Sequence, residues 1–185
     1  MKRIIAVLCL LALLTGCSGA GNELDRAMAL RAKMLAQGVS FDAEITADYG
    51  DKTYQFTMEC QADSQGELTF TVKEPQSISG ITGKLSASGG KLTFDDKALA
   101  FGLLADDQIT PVSAPWILIR TLRSGYLTSC GLDGGVVRVA IDDSYEEDAL
   151  HLDIWLDEDD LPARGEILWK GRRILSVCVK NFRFV

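Results

Sequence analysis

The sequence predicts an α+β domain: one long antiparallel sheet, a helix ahead of it and a second helix in its middle. Three observations carry that prediction. Apolar residues recur at three- and four-residue spacing between Asn22 and Gln37, the period changes to two from Ser40 onward, and a short, very apolar stretch beginning at Ser113-Ala114-Pro115 interrupts the alternation before it resumes.

The first helix is expected over 22–37. Asn22 is placed to cap the amide of Asp25, and Glu23 and Asp25 sit in the first turn, where the helix dipole favours acids. Leu24, Ala27, Met28, Met34 and Leu35 make its apolar stripe, and Gly38 ends it. The meander then begins. Phe41, Ala43, Ile45, Ala47 and Tyr49 alternate with polar residues, as do Tyr54, Phe56, Met58 and Cys60 after the Gly50-Asp51 turn, and Leu68, Phe70 and Val72 after Asp63-Ser64-Gln65-Gly66. Such alternation gives a sheet one dry face and one wet face. Pro75 breaks it. Further strands are expected over 78–87, 91–95 and 98–102. The central helix runs over 113–124 with Trp116, Ile117, Leu118, Ile119 and Leu122, its proline near the first helical position. Strands at 135–141, 150–157, 163–170 and 173–184 complete the sheet. Nine or ten strands favour curling, and glycines 80, 83, 125 and 165 are candidate bending points.

Ahead of the domain, Met1-Lys2-Arg3 precedes an apolar run from Ile4 to Leu14. A membrane-spanning helix needs roughly 20 apolar residues, so this run reads as an export signal. It ends in Leu14-Thr15-Gly16-Cys17, which resembles the lipobox of bacterial lipoproteins. The resemblance implies cleavage before Cys17, diacylation of its thiol and attachment to the outer face of the cell membrane or, with Ser18 as sorting residue, to an outer membrane. The expected organisation is a signal over 1–16, a lipidated tether over 17–21 and one domain over 22–185.

Removing Lys2 and Arg3 leaves 17 basic and 26 acidic residues, a formal charge of −9. That balance argues against a nucleic-acid partner, because phosphate binding needs clustered Lys and Arg, and against electrostatic adsorption on anionic lipid. Cys60, Cys130 and Cys178 remain in the mature domain; one disulfide plus a free thiol and three independent thiols are both open readings. No zinc spacing or phosphate loop is present. The acidic runs 142–148 and 157–160 lack the spacing of a calcium loop and read as solvated turns.

Three stretches carry a wider resemblance: Gly66-Glu67-Leu68-Thr69-Phe70-Thr71-Val72-Lys73-Glu74-Pro75, Leu161-Pro162-Ala163-Arg164-Gly165-Glu166-Ile167, and Val177-Cys178-Val179-Lys180-Asn181-Phe182. In this order, over about 145 residues from Asn22, they resemble the LolA/LolB-type lipoprotein-carrier superfamily. The resemblance implies a strongly curved half-barrel with an N-terminal helix and a central helix packed in or over its concave face. It also implies non-catalytic binding of lipid or lipoprotein acyl chains. A lipid anchor is foreign to soluble LolA and points toward LolB and lipid-anchored relatives. LolB's protruding loop has only a loose counterpart, at 98–104.

On this reading the lining of an acyl-chain cavity is Phe41, Ile45, Tyr54, Phe56, Met58, Leu68, Phe70, Phe94, Leu152 and Ile154, with Trp116 on the closing helix. The alternative is that the helices fill the concavity and the protein is an interaction module working through its outer face. His151, the only histidine, lies on the wet face without a nucleophile motif. Trp155 and the Arg172-Arg173 turn are the outer-face candidates for a partner contact. No enzymatic activity, cofactor or metal is expected, and the chain is expected to be a monomer.

Overall fold

The computed structural model describes residues 20–94, 97–101, 104–105 and 108–185. The expected signal and Cys17, the expected acylation site, lie outside the described residues, as does the side chain of Phe94.

Helix α1 spans Ala20–Ala36. Strands β1 (Val39–Asp48), β2 (Thr53–Ala62) and β3 (Leu68–Glu74) form the meander, followed by a 3-10 turn at Gln76–Ile78. Strands β4 (Thr82–Ser86), β5 (Gly89–Phe94) and β6 (Lys97–Phe101) continue it. Two short strands, β7 (Leu104–Ala105) and β8 (Gln108–Ile109), pair with each other, and helix α2 runs over Ala114–Ser124. Strands β9 (Tyr126–Asp133), β10 (Val136–Asp142), β11 (Leu150–Leu156), β12 (Pro162–Trp169) and β13 (Arg172–Phe184) close the chain.

The sheet has 11 strands in the order β6-β5-β4-β3-β2-β1-β13-β12-β11-β10-β9. The chain walks outward from β1 to β6, crosses by way of α2 to the opposite edge, and returns strand by strand until β13 docks beside β1. Register sets the faces: Phe41 pairs with Cys60, Ala43 with Met58 and Val179, and Ile45 with Phe56 and Val177. Because side chains alternate, a whole row becomes dry once one pair is fixed. Registers break at Ser40/Asp42, Thr57/Met58, Ala140/Ile141, Trp155/Leu156 and Ile167/Leu168. Such irregularities bend a strand and raise its twist, so these points help to curve the sheet.

Four expectations are corrected in detail. Strand β9 falls where the sequence suggested only a connection: an edge strand needs no second buried row, and Tyr126, Ser129 and Leu132 are exposed. The expected strand at 78–87 shortens to β4, because Ile78 belongs to the 3-10 turn and Gly80, at φ +87°, donates its amide to the Val72 carbonyl. In α1 the buried line is Glu23, Ala27, Leu30 and Met34, so Leu24, Met28 and Leu35 face outward. The first part of the loosely assigned 98–104 loop, up to Phe101, is likewise no free protrusion, since β6 pairs with β5.

Candidate functional site

The concave face is built by inward rows from eight strands and by α2 pressed onto them. Phe41, Ile45, Met58, Leu68, Phe70, Leu152 and Ile154 are each at most 3 % exposed and join one cluster with Trp116. Eight of the eleven residues proposed from sequence are thus brought together. Phe56 is half-buried against the same cluster. Tyr54 keeps the parity of that row but lies beyond the helices; it is 46 % exposed and meets Tyr49 edge-on, with ring centroids 6.2 Å apart. Burial pushes the Tyr49 hydroxyl up to about 12, with the neighbouring Tyr54 adding to the shift.

Sequence reasoning missed the opposite wall of the face, Val137, Val139 and Ile141 on β10 with Ile167 on β12 and Leu175 and Val177 on β13. The signal was there: Val137, Val139 and Ile141 alternate with Val136, Arg138 and Ala140. Met34, placed from sequence in the stripe of the first helix, is fully buried and joins the same cluster.

Helix α2 fills the concavity. Trp116, Ile117, Leu118, Ile119, Thr121 and Leu122 are all buried, leaving Arg120 as the exposed position of that stretch. Its fit depends on one glycine: a Cβ on Gly165 would come within 2.9 Å of Leu118 Cδ1. Polar contacts secure both ends. Trp116 Nε1 donates to the Gly66 carbonyl at 3.2 Å. Arg123 donates to the carbonyls of Met34 at 2.8 Å and Asp63 at 3.2 Å, and also to Ser64. From α1, Arg31 Nε donates to the Leu122 carbonyl at 2.7 Å, while burial lowers the affinity of its guanidinium for its proton. These bonds satisfy carbonyls that a turn or a helix end leaves open.

The wet face is a ladder of charge. Asp153, 7 % exposed, accepts from Arg138 Nε at 3.0 Å and Nη2 at 2.6 Å. That bond raises the pKa of Arg138. His151 has Nδ1 2.6 Å from Asp142 Oδ1 and Nε2 3.4 Å from Asp153 Oδ1, so it is held between two carboxylates rather than freely solvated. Trp155 lies between Arg138 and Arg164, whose guanidinium carbons are 5.8 and 4.6 Å from its ring centroid. Its Nε1 donates to Asp133 at 2.8 Å. Arg173 reaches Glu166 at 2.9 Å, and Arg172 sits 3.8 Å from Asp48. The two acidic runs are engaged internally: Asp157 accepts from the amides of Asp159 and Leu161 at 2.9 Å each, and Asp160 pairs with Arg26. Among the described residues no group of three or more His, Cys, Asp or Glu side chains is placed to hold a metal ion.

Open clefts lie on this wet side. One of about 500 Å³ is lined by Ser40, Glu59, Gln61, Thr69, Thr71, Lys84 and Lys91, and another of about 530 Å³ by Glu44, Thr46, Gln55, Thr57 and Glu74. Their mixed, polar lining is unlike the apolar walls an acyl chain selects. The three cysteines among the described residues are free thiols: Cys60 is buried, Cys130 half-buried and Cys178 exposed. Burial pushes the Cys60 thiol far up, away from reactive thiolate.

No family model matches the chain, and no curated protein matches it. Solved structures do. The chain is similar to a putative outer membrane lipoprotein-sorting protein domain from Vibrio parahaemolyticus, at 10 % identity over 90 % of this chain and 93 % of that one, with a TM-score of 0.45. A LolA superfamily protein from Nitrosomonas europaea matches at 7 % identity over 86 % and 93 %, TM-score 0.46. The lipoprotein LppX from Mycobacterium tuberculosis matches at 12 % identity over 87 % and 93 %, TM-score 0.43. At such identities the site has to be argued from this chain's own residues. Among those described, no helix is long and apolar enough to cross a membrane.

Proposed function

We propose that this is a lipid-anchored, extracytoplasmic, non-catalytic protein that binds acyl chains in its half-barrel, with α2 as the element that yields to the ligand. The observation carrying this reading is the make-up of the concave face. Its large apolar residues are collected beneath one 11-residue helix, whose side chains occupy the volume an acyl chain would need. Displacing α2 would expose an apolar trough without touching the strand ladder. Cys17 would tie the domain to the membrane by two acyl chains, which suffices for stable attachment.

A second reading is favoured by the polar contacts at both ends of α2: the helix is permanent core, and the protein is an interaction module working through its wet face around Trp155. Native mass spectrometry of the mature chain, extracted from membranes in mild detergent, separates them. Release of a lipid beyond the anchor's own mass supports ligand binding. A chain carrying only its anchor, also after incubation with phospholipid, would leave the interaction module as the function. Gly165→Ala sharpens the result. It wedges Leu118 outward, so a yielding α2 gains ligand occupancy, whereas a permanent core only loses stability.

A further inference from the structure

Helix α1 is buried along Glu23, Ala27, Leu30 and Met34 and turns the opposite side outward. At 3.6 residues per turn, that outward side carries Leu24, Met28 and Leu35, exposed by 42, 46 and 53 %, with Ala32, Ala36 and Ala29 beside them. Asp25 is the one charge within this face, and Lys33 flanks it. An amphipathic helix normally turns its apolar side inward; this one is apolar on both.

The direction of α1 fixes which end of the domain this face belongs to. Arg31 and Arg123 join the C-terminal half of α1 to the residues just before β9. Cys130, further along β9, feels the charges of Glu23 and Arg26 near the helix start. The two elements therefore run antiparallel, and the β9–β10 turn lies toward the N-terminal end of α1. That turn also presents apolar residues, Leu132 at 62 % and Val136 at 42 % exposure. The sequence places Cys17 three residues before Ala20, where α1 begins. Three residues span at most about 11 Å, so acyl chains on Cys17 would hold this end of the domain at the bilayer surface.

We infer that the outward face of α1, with Leu132 and Val136, docks onto the bilayer that holds Cys17, lying in its interface rather than standing off on the tether. The inference rests on the proposed acylation of Cys17. The occupant is a lipid surface because the tether leaves these side chains no other apolar phase within reach. The contact is hydrophobic rather than electrostatic: Asp133 and the Asp157-Glu158-Asp159-Asp160 turn sit at the same end, and anionic head groups would repel them.

The chain carries its own reporter. Of the methionines after Cys17, Met28 is exposed while Met34 and Met58 are fully buried. Hydroxyl-radical oxidation is read by peptide mass spectrometry on the full mature chain in phosphatidylcholine vesicles and on a soluble Cys17→Ser chain, with Tyr145, 83 % exposed, as the solvent reference. Docking predicts a several-fold loss of Met28 oxidation on vesicles, unchanged Tyr145, and less protection when phosphatidylglycerol is added. Leu24→Ser with Leu35→Ser restores Met28 oxidation on vesicles, while silent Met34 and Met58 report an intact fold. An acylated Cys17 with Met28 as reactive as in the soluble chain overturns docking alone. A Cys17 without acyl mass overturns both docking and the anchor. Protection that appears without vesicles and rises with protein concentration assigns the face to a second copy and overturns the bilayer.

Discussion

Strands β1 and β4 belong to one sheet, three places apart, and are held in different ways. Every second residue of β1 is buried, from Val39 through Ala47, and α2 lies over the row. In β4 only Leu85 is buried, and Leu99 on β6, two places further out at the edge, is 65 % exposed. The ladder is continuous across both, so backbone pairing alone does not mark the body of the fold. Burial does, because it supplies the dominant favourable term, roughly 25 cal/mol per Å² of apolar surface. The β4–β6 wing is expected to open locally at a lower free energy than β1, β11 or β13.

The largest effect that would test this contrast is Leu118→Ala. It removes a fully buried side chain from α2, and a loss of about 3–4 kcal/mol is expected in denaturant unfolding. A loss below about 1 kcal/mol would mean that α2 does not share the body's stability. Next comes Arg138→Ala, which strands the buried Asp153 carboxylate with only His151 near it. A cost of about 2 kcal/mol is expected, and the paired change Asp153→Asn should recover part of it. Gly83→Ala acts within the wing. Its Cβ would run into the ring of Phe70, the residue paired with Gly83 across β3 and β4. The cost should be about 1–2 kcal/mol, and amide exchange should quicken in β4 and β5 while β11 to β13 stay unchanged. Leu99→Ser should shift stability by less than about 0.5 kcal/mol. At neutral pH, Tyr49 contributes no change at all. Its hydroxyl is held protonated up to about 12 in the fold, against about 10 in an unfolded chain. The stabilisation is complete below the unfolded value and lost as pH rises through the folded one. Alkaline unfolding followed at 295 nm, an absorbance band of tyrosinate, should track that window; Tyr49→Phe should move it upward.

The contrast also explains what could be read from the sequence. Rows with one dry face announce themselves, and Phe41, Ile45, Met58, Leu68, Leu152 and Ile154 fell where their parity placed them. The fold class followed from the same periodicity. Parity says nothing about where cover ends, so Tyr54 was assigned to the cavity although α2 does not reach it. Edge strands escape for a related reason: β9 has no fully buried row, only exposed and half-buried positions, and so shows no regular alternation. In α1 two apolar lines run along one helix, and the sequence offered no way to choose which faces the sheet. The engagement of Asp153 with Arg138 and His151 depends on the β10–β11 register, which sets Ala140 opposite Asp153 and Asp142 opposite His151 and which no local motif announces.

The middle of the sheet is where the first and last strands meet. β1 lies against β13 from Val39↔Phe184 to Ala47↔Leu175, and Gly38 and Val185 exchange amide hydrogen bonds at 3.1 and 2.9 Å. A chain threaded through a translocation pore from its N-terminus can form the β1–β3 hairpins early, yet the two wings of the sheet cannot be joined until residues 172–184 emerge. Contacts so distant in sequence also form slowly. In a chain exported as proposed, the connectivity would delay completion of the fold until transit ends, keeping the polypeptide threadable for as long as threading is required.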